Sequence, residues 1–172
     1  MSDTTAGGEL APAASELATE VIRVLTLAGH TVATAESLTG GLVAAALTDV
    51  PGSSNAFRGG VVAYATELKA SLLGVDAGLL ERYGPVHAPV AAAMANGVRD
   101  RLGASIGVAT TGVAGPGPQD GHPAGTVHVA VSLPGDTVVR TMALPGNRDE
   151  VRRLTVELVL GLLLGRLREE CP

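Results

Sequence analysis

The sequence predicts an α/β protein: a three-layer α/β/α sandwich on a mixed, mostly parallel sheet with a C-terminal hairpin. Three observations predict it. Short apolar runs alternate with helical periodicities as far as Thr110, the order of strand–helix units that builds a parallel sheet. Two segments with period-two alternation flank Pro134-Gly135-Asp136, the mark of a hairpin. A long apolar-periodic segment then closes the chain.

Each element has a local reason. Leu17, Val21, Val24, Leu25 and Ala28 follow helical spacing from Ser15, and Gly29 supplies a C-cap. Residues 31–35 read as a buried strand. After a tight turn, Leu42, Val43, Ala46 and Leu47 line a second helix, and Pro51-Gly52-Ser53-Ser54-Asn55 is a loop. Residues 59–64 form the second strand. Thr66 is placed to cap a helix reaching Gly74, and Asp76 to cap a short one ending near Gly84-Pro85. Pro89 starts a helix to Leu102 that Gly103 closes. Residues 105–110 form the third strand, and a loop rich in Gly and Pro runs from Thr111 to Gly125. The hairpin pairs residues 126–133 with 137–144. Asn147, with Glu150 three residues on, forms a capping box for the last helix.

Composition narrows the function classes. With 172 residues, the chain suits one domain over residues 14–170, preceded by a mobile tail over residues 1–13. Hydrophobic residues make up 46% and aromatics 2%, so the core must be aliphatic. A net charge of −5 and so few aromatics oppose nucleic-acid binding, which needs a basic face or stacking platforms. Cys171 is the single cysteine, so no disulfide forms within the chain, and a reducing, cytoplasmic location fits best. No secretory signal pattern stands at the N-terminus. The longest apolar stretch, near residues 156–165, is shorter than the roughly 20 residues a bilayer requires. No membrane partner is expected. The apolar last helix and the Ala-rich face of residues 90–98 suit either a homodimer interface or the core.

The chemistry is sought at the strand–helix turns, where open α/β sheets bind ligands. The first turn is Ala35-Glu36-Ser37-Leu38-Thr39-Gly40-Gly41. As pattern alone, Ser37 or Thr39 is a helix cap. Two glycines at a helix start lower helix propensity by roughly 1 kcal/mol each; close approach of a ligand to the backbone would account for them. Helix-end N–H groups there would favour an oxyanion or phosphate. The second turn carries Lys69, the sole lysine among the 12 basic residues. It sits in the first turn of a helix, where a cation is disfavoured. Arginine cannot deprotonate and lysine can, so Lys69 is either a solvated surface residue or a general base. The Thr111–Gly125 loop lacks both phosphate-loop and dinucleotide fingerprints. Arg148 opens the last helix, again a disfavoured place for a cation, and an anionic ligand would explain it. His30, His87, His122 and His128 show no metal-ligand spacing.

Taken in order, these motifs resemble the CinA C-terminal domain family, whose stand-alone members include nicotinamide mononucleotide deamidases. The resemblance runs from about Leu17 to Leu167. Its carriers are Thr34-Ala35-Glu36-Ser37 with Thr39-Gly40-Gly41, Pro51-Gly52-Ser53-Ser54, Gly59-Gly60-Val61-Val62-Ala63-Tyr64, Lys69 with Leu73-Gly74-Val75, Thr111-Gly112-Val113-Ala114-Gly115-Pro116, Pro123-Ala124-Gly125-Thr126-Val127, and Gly146-Asn147-Arg148-Asp149-Glu150-Val151-Arg152. The chain departs from the family's usual residues at Leu38, Thr66, His87 and Pro118, where Cys, Asn, Ser and Gly are common. The domain that precedes this one in many relatives does not occur in this sequence.

The resemblance implies hydrolysis of the ring carboxamide of nicotinamide mononucleotide, giving nicotinate mononucleotide and ammonia. It puts the nucleophile on Ser37, the base on Lys69 and a supporting hydroxyl on Tyr64. Glu36, Thr39, Gly40, Gly41, Thr111 and Gly112 are expected around the substrate, with Arg148 on its phosphate. Helix-end and loop N–H groups are expected to hold the oxyanion. No metal or redox cofactor is required by such a reaction. The rival reading is a non-catalytic nucleotide-binding or regulatory module of the same fold.

Overall fold

A computed structural model describes residues 12–170. Five strands form one sheet in the order β2-β1-β3-β4-β5: β1 (Val32–Glu36), β2 (Phe57–Val62), β3 (Ile106–Gly112), β4 (Thr126–Leu133) and β5 (Asp136–Ala143). Strand β1 runs parallel to β2 and β3, whereas β3–β4 and β4–β5 are antiparallel. The sheet is therefore mixed in equal parts, not mostly parallel, because a loop with no helix joins β3 to the hairpin. Six helices cover it: α1 (Pro12–Ala28), α2 (Leu42–Thr48), α3 (Thr66–Leu73), α4 (Ala77–Tyr83), α5 (Ala88–Leu102) and α6 (Arg148–Glu170), with a 3₁₀ turn at Ser53–Asn55.

The alternation of side chains along the strands sorts the two helical layers. Val32, Val108, Val129 and Val131 face α1, α2 and α6. Ala33, Ala35, Ala109 and Ala130 face α3, α4 and α5. Alanines on that second face let α5 lie close to the sheet, and α3 in turn lies close to α5: a Cβ at Gly97 would collide with the Leu73 carbonyl. This approach fixes α3, and with it Lys69, against the body of the domain. The buried residues of α5 are Val90, Ala91, Met94, Ala95 and Val98, so the Ala-rich face is core and not an interface.

Several caps match their sequence signals. The Asp76 carboxylate accepts from Leu79 N–H at 2.8 Å. Asn147 Oδ1 accepts from the N–H groups of Asp149 and Glu150, and Glu150 accepts in return from Asn147 N–H at 2.7 Å. Gly29 and Gly103 have positive φ, the left-handed conformation that ends helices. Thr66 is not a cap; the N-cap position is Ala65, and Thr66 is the first helical residue. The expected tail over residues 1–13 lies mostly outside the described residues, and its last two, Pro12 and Ala13, already belong to α1. Cys171 also lies outside them. No helix among the described residues is long and apolar enough to cross a membrane.

Candidate active site

The parallel strands β1 and β2 end beside each other, and the chain leaves β1 directly into the turn that carries Ser37. The strand's last residue decides what that turn can do. Glu36 is 1% exposed, and its carboxylate bridges to the start of α2. Oε2 accepts from Gly41 and Val43 N–H, each at 3.0 Å, and Oε1 accepts from Ala44 N–H at 2.8 Å. A buried carboxylate is stable only when its oxygens are satisfied, and here the helix N-terminus satisfies them while the helix gains an anion at its positive end.

Several sequence expectations change as a result. Neither Ser37 nor Thr39 caps α2: its N-cap position is Gly41, with φ 102° and no side-chain cap. Glu36 does not face a ligand either, since both of its oxygens are engaged with the backbone. The donors at the helix end are likewise occupied by Glu36 and are not open to an oxyanion. Thr39 is fully buried and pairs with the Thr110 hydroxyl at 2.7 Å, which takes its side chain out of the cleft. Gly40 donates to the Ser37 carbonyl and Gly41 to Glu36, so these two glycines shape the turn instead of offering N–H groups to a ligand.

Relieved of capping, Ser37 turns to Lys69. Lys69 Nζ lies 3.0 Å from Ser37 Oγ and 2.8 Å from the Ala63 carbonyl. Lys69 is 1% exposed, and burial lowers its pKa from 10.5 to about 8, since removing the ammonium from water disfavours the charged form. The solvated-surface alternative for Lys69 is thereby removed. Ala63 is held in place by its own N–H, which donates to the Glu36 carbonyl at 2.8 Å. An N–H of the amine satisfies the Ala63 carbonyl while the nitrogen's remaining side faces the serine.

The turn contains two further groups that sequence reasoning missed. Among the described residues, no backbone acceptor meets the N–H groups of Leu38 and Thr39. Arg152 donates from Nε to the Leu38 carbonyl at 3.0 Å and from Nη2 to the Thr39 carbonyl at 3.2 Å. A trans peptide sets its N–H opposite its C=O, so this clamp turns the Thr39 N–H away from Arg152. The signal for Arg152 was present in the sequence: it stands four residues after Arg148, on the same face of α6.

Ser37, Leu38 and Lys69 line a small cleft of about 70 Å³ together with Tyr64, Thr66, Thr111, Gly112, Ala114 and Arg148; Pro85, Val86 and Gln119 complete its wall and had given no site signal in the sequence. Thr111 is buried and donates to the Pro85 carbonyl at 2.8 Å. Gly112 admits no side chain, because a Cβ would lie 2.9 Å from the Val127 Cα. Tyr64 is 59% exposed, and its hydroxyl accepts from Arg148 Nη2 at 2.9 Å instead of touching Ser37 or Lys69. Arg148 Nη1 donates to the Gly115 carbonyl at 2.9 Å. The arginine is thus fixed at the cleft rim by two acceptors. Among the described residues, no group of three or more His, Cys, Asp or Glu is arranged to hold a metal ion.

Residues 14–167 match the CinA C-terminal domain family. The chain belongs to that family. A CinA-like protein of Frankia casuarinae is 56% identical over 143 residues, covering 83% of this chain and 33% of the relative. A CinA-like protein of Mycobacterium avium is 52% identical over 143 residues, covering 80% of this chain and 33% of the relative. The chain thus spans about a third of the length of these relatives. It is similar over nearly its whole length to solved structures. The competence/damage inducible protein CihA from Agrobacterium tumefaciens superposes with TM-score 0.89 at 36% identity, covering 94% of this chain and 99% of that one. A CinA superfamily protein from Escherichia coli gives TM-score 0.86 at 34% identity, covering 91% and 92%. As a CinA-family fold, the mixed sheet with helices on both faces is the expected architecture.

Proposed function

We propose that this CinA-family domain is an amidohydrolase that converts nicotinamide mononucleotide to nicotinate mononucleotide and ammonia through a Ser37 nucleophile and a Lys69 base. The observation that carries the reading is the fully buried Lys69 amine, 3.0 Å from Ser37 Oγ with a pKa of about 8. A lysine with that pKa is about one-tenth neutral at pH 7, and a neutral amine beside a serine hydroxyl is an activated nucleophile pair. A role in structure alone would be served better by an apolar side chain, because a buried amine is costly to desolvate.

In this mechanism Ser37 Oγ attacks the carboxamide carbon as its proton passes to Lys69 Nζ. The carbonyl oxygen becomes an oxyanion, for which the free N–H of Leu38, a residue lining the cleft, is the donor; one such donor is worth about 3–4 kcal/mol. The lysine ammonium then protonates the departing nitrogen, the C–N bond breaks and ammonia leaves. Water, giving one proton to Lys69, attacks the acyl-Ser37 ester; as the ester C–O bond breaks, the lysine ammonium returns that proton to Ser37 Oγ, and the carboxylic acid is released with Ser37 and neutral Lys69 restored. The enclosed cleft of about 70 Å³ is small beside typical ligand pockets of about 300–1,000 Å³. It suits the reacting carboxamide end, with the sugar phosphate extending over the rim towards Arg148.

The test is ammonia release from nicotinamide mononucleotide by the purified chain, beside Ser37→Ala and Lys69→Arg. The wild type should release ammonia and both folded variants should not. Nucleotide binding without ammonia release by the wild type would replace the amidase by the non-catalytic binding module.

A further inference from the structure

The loop from Thr111 to Gly125 gives no regular pattern in sequence, yet its tip is a defined turn. Gln119 N–H donates to the His122 carbonyl at 3.0 Å, and His122 N–H donates to the Gln119 carbonyl at 2.9 Å. Between them Asp120 and Gly121 both have positive φ, 50° and 80°. Two left-handed residues closed by a bonded pair make a type I′ turn, for which Asp-Gly is a favoured sequence. Asp120 is the one residue other than glycine with positive φ among the described residues. The tip is therefore built, and the residue it sets into the wall of the Ser37 cleft is Gln119.

The Gln119 side chain has a preferred orientation. Its Nε2 donates to Asp120 Oδ2 in a long contact of 3.4 Å. The reverse orientation would set the amide oxygen against a carboxylate, and the two would repel. Oε1 is left with no side-chain partner among the described residues. The Thr66 hydroxyl in the same cleft can donate or accept, whereas Oε1 can only accept. An acceptor next to a carboxylate is the wrong surface for a phosphate and the right one for a donor. The amide substrate and the acid product differ at one atom. The amide carries –NH2, which donates; the acid carries an ionised oxygen in its place, which at neutral pH only accepts.

We propose that Gln119 is a specificity-determining residue that reads the amide nitrogen of the substrate, with Oε1 accepting one of its two N–H groups. This role rests on the amidohydrolase reading given above. The held N–H keeps the leaving nitrogen in place while Lys69 delivers its proton. Once ammonia has left and water has released the acid, the product carboxylate meets Oε1 and the Asp120 carboxylate, and both repel it. The same residue thus favours a primary amide on entry and drives the acid out.

Isothermal titration calorimetry on the full chain carrying Ser37→Ala tests it, with nicotinamide mononucleotide and nicotinate mononucleotide as probes; this background should bind without turnover. It should bind the amide more tightly than the acid. Adding Gln119→Leu should reduce that preference about tenfold, through the lost hydrogen bond and the lost repulsion together. Adding Gln119→Glu keeps an acceptor and places a charge against the acid, so the preference should hold or widen. Both variants should unfold at the temperature of their background, since Gln119 enters the turn through backbone bonds alone. A preference unmoved by Gln119→Leu overturns the role of Gln119 and leaves the amidohydrolase reading standing. An equal loss of affinity for both nucleotides does the same, because it places Gln119 on the sugar phosphate they share. Binding of neither nucleotide to the Ser37→Ala chain overturns the substrate reading itself, and the role of Gln119 falls with it.

Discussion

Ser37 and Lys69 stand 32 residues apart in sequence, and their side chains meet at 3.0 Å. One side-chain and one backbone group produce this meeting. The Glu36 carboxylate takes over the capping of α2, which leaves the Ser37 hydroxyl unoccupied. The Ala63 carbonyl holds the Lys69 amine from the other side at 2.8 Å.

A base of this kind predicts the pH profile. Lys69 must be neutral to accept the Ser37 proton, and its pKa is about 8. Under the proposed mechanism, kcat/KM for ammonia release should rise with pH through about 8 and level off above it. The measurement is initial rate against pH from 6 to about 10. A profile flat across that window would remove Lys69 as the base.

The same burial makes a stability prediction whose sign is fixed. The folded pKa lies below the unfolded value of 10.5, so the unfolded chain binds more protons between these values and stability rises with pH there. Below about 8 the folded protein carries the full cost of a buried ammonium. Lys69→Met should therefore stabilise the fold at pH 7, by about 1–3 kcal/mol after the loss of two hydrogen bonds. The gain should shrink as pH climbs towards 10.5. Urea unfolding at pH 7 and pH 10 checks this; an equal difference at both would contradict it.

Glu36→Gln tests the capping carboxylate. An amide has one acceptor oxygen where the carboxylate has two, and it brings N–H groups against backbone N–H groups. The substitution should cost about 1–3 kcal/mol of stability. Because Glu36 would act on catalysis only through the position of Ser37, kcat should fall while KM changes little. A large rise in KM with unchanged kcat would instead return Glu36 to the substrate.

Much of this arrangement could be read from the residues, and the parts that could not have physical reasons. Periodicity, short apolar runs and capping residues located the α-helices and strands, since these signals are local, whereas the 3₁₀ turn at Ser53–Asn55 had read only as loop. The Asn147–Glu150 box was legible because both halves lie within one turn. The role of Glu36 was not, because its partners Gly41, Val43 and Ala44 lie beyond an irregular turn whose path no spacing rule specifies. Thr39 was misread for the same reason: its partner, Thr110, is contributed by a neighbouring strand. The equal mix of parallel and antiparallel pairs depends on the hairpin lying beside β3 with no helix between them in the chain, a matter of tertiary order. Lys69 was legible as an anomaly of composition and position, but only the packing of α3 on α5 turned a displaced cation into a buried one.

The rim residues carry the last prediction. Arg148 is held by the Gly115 carbonyl and the Tyr64 hydroxyl, which leaves its remaining N–H donors for an anion. Arg148→Ala should raise KM for nicotinamide mononucleotide at least about tenfold, the worth of a charge-assisted contact, with a far smaller effect on the corresponding nucleoside. Tyr64→Phe removes only one of the two acceptors that orient the arginine, so it should raise KM in the same direction by less. If Tyr64 instead took part in the chemistry at Ser37, its loss would lower kcat equally for nucleotide and nucleoside. Steady-state kinetics on both substrates with both variants therefore separates a phosphate-positioning rim from a catalytic tyrosine, and equal effects of Arg148→Ala on the two substrates would take Arg148 out of the phosphate site.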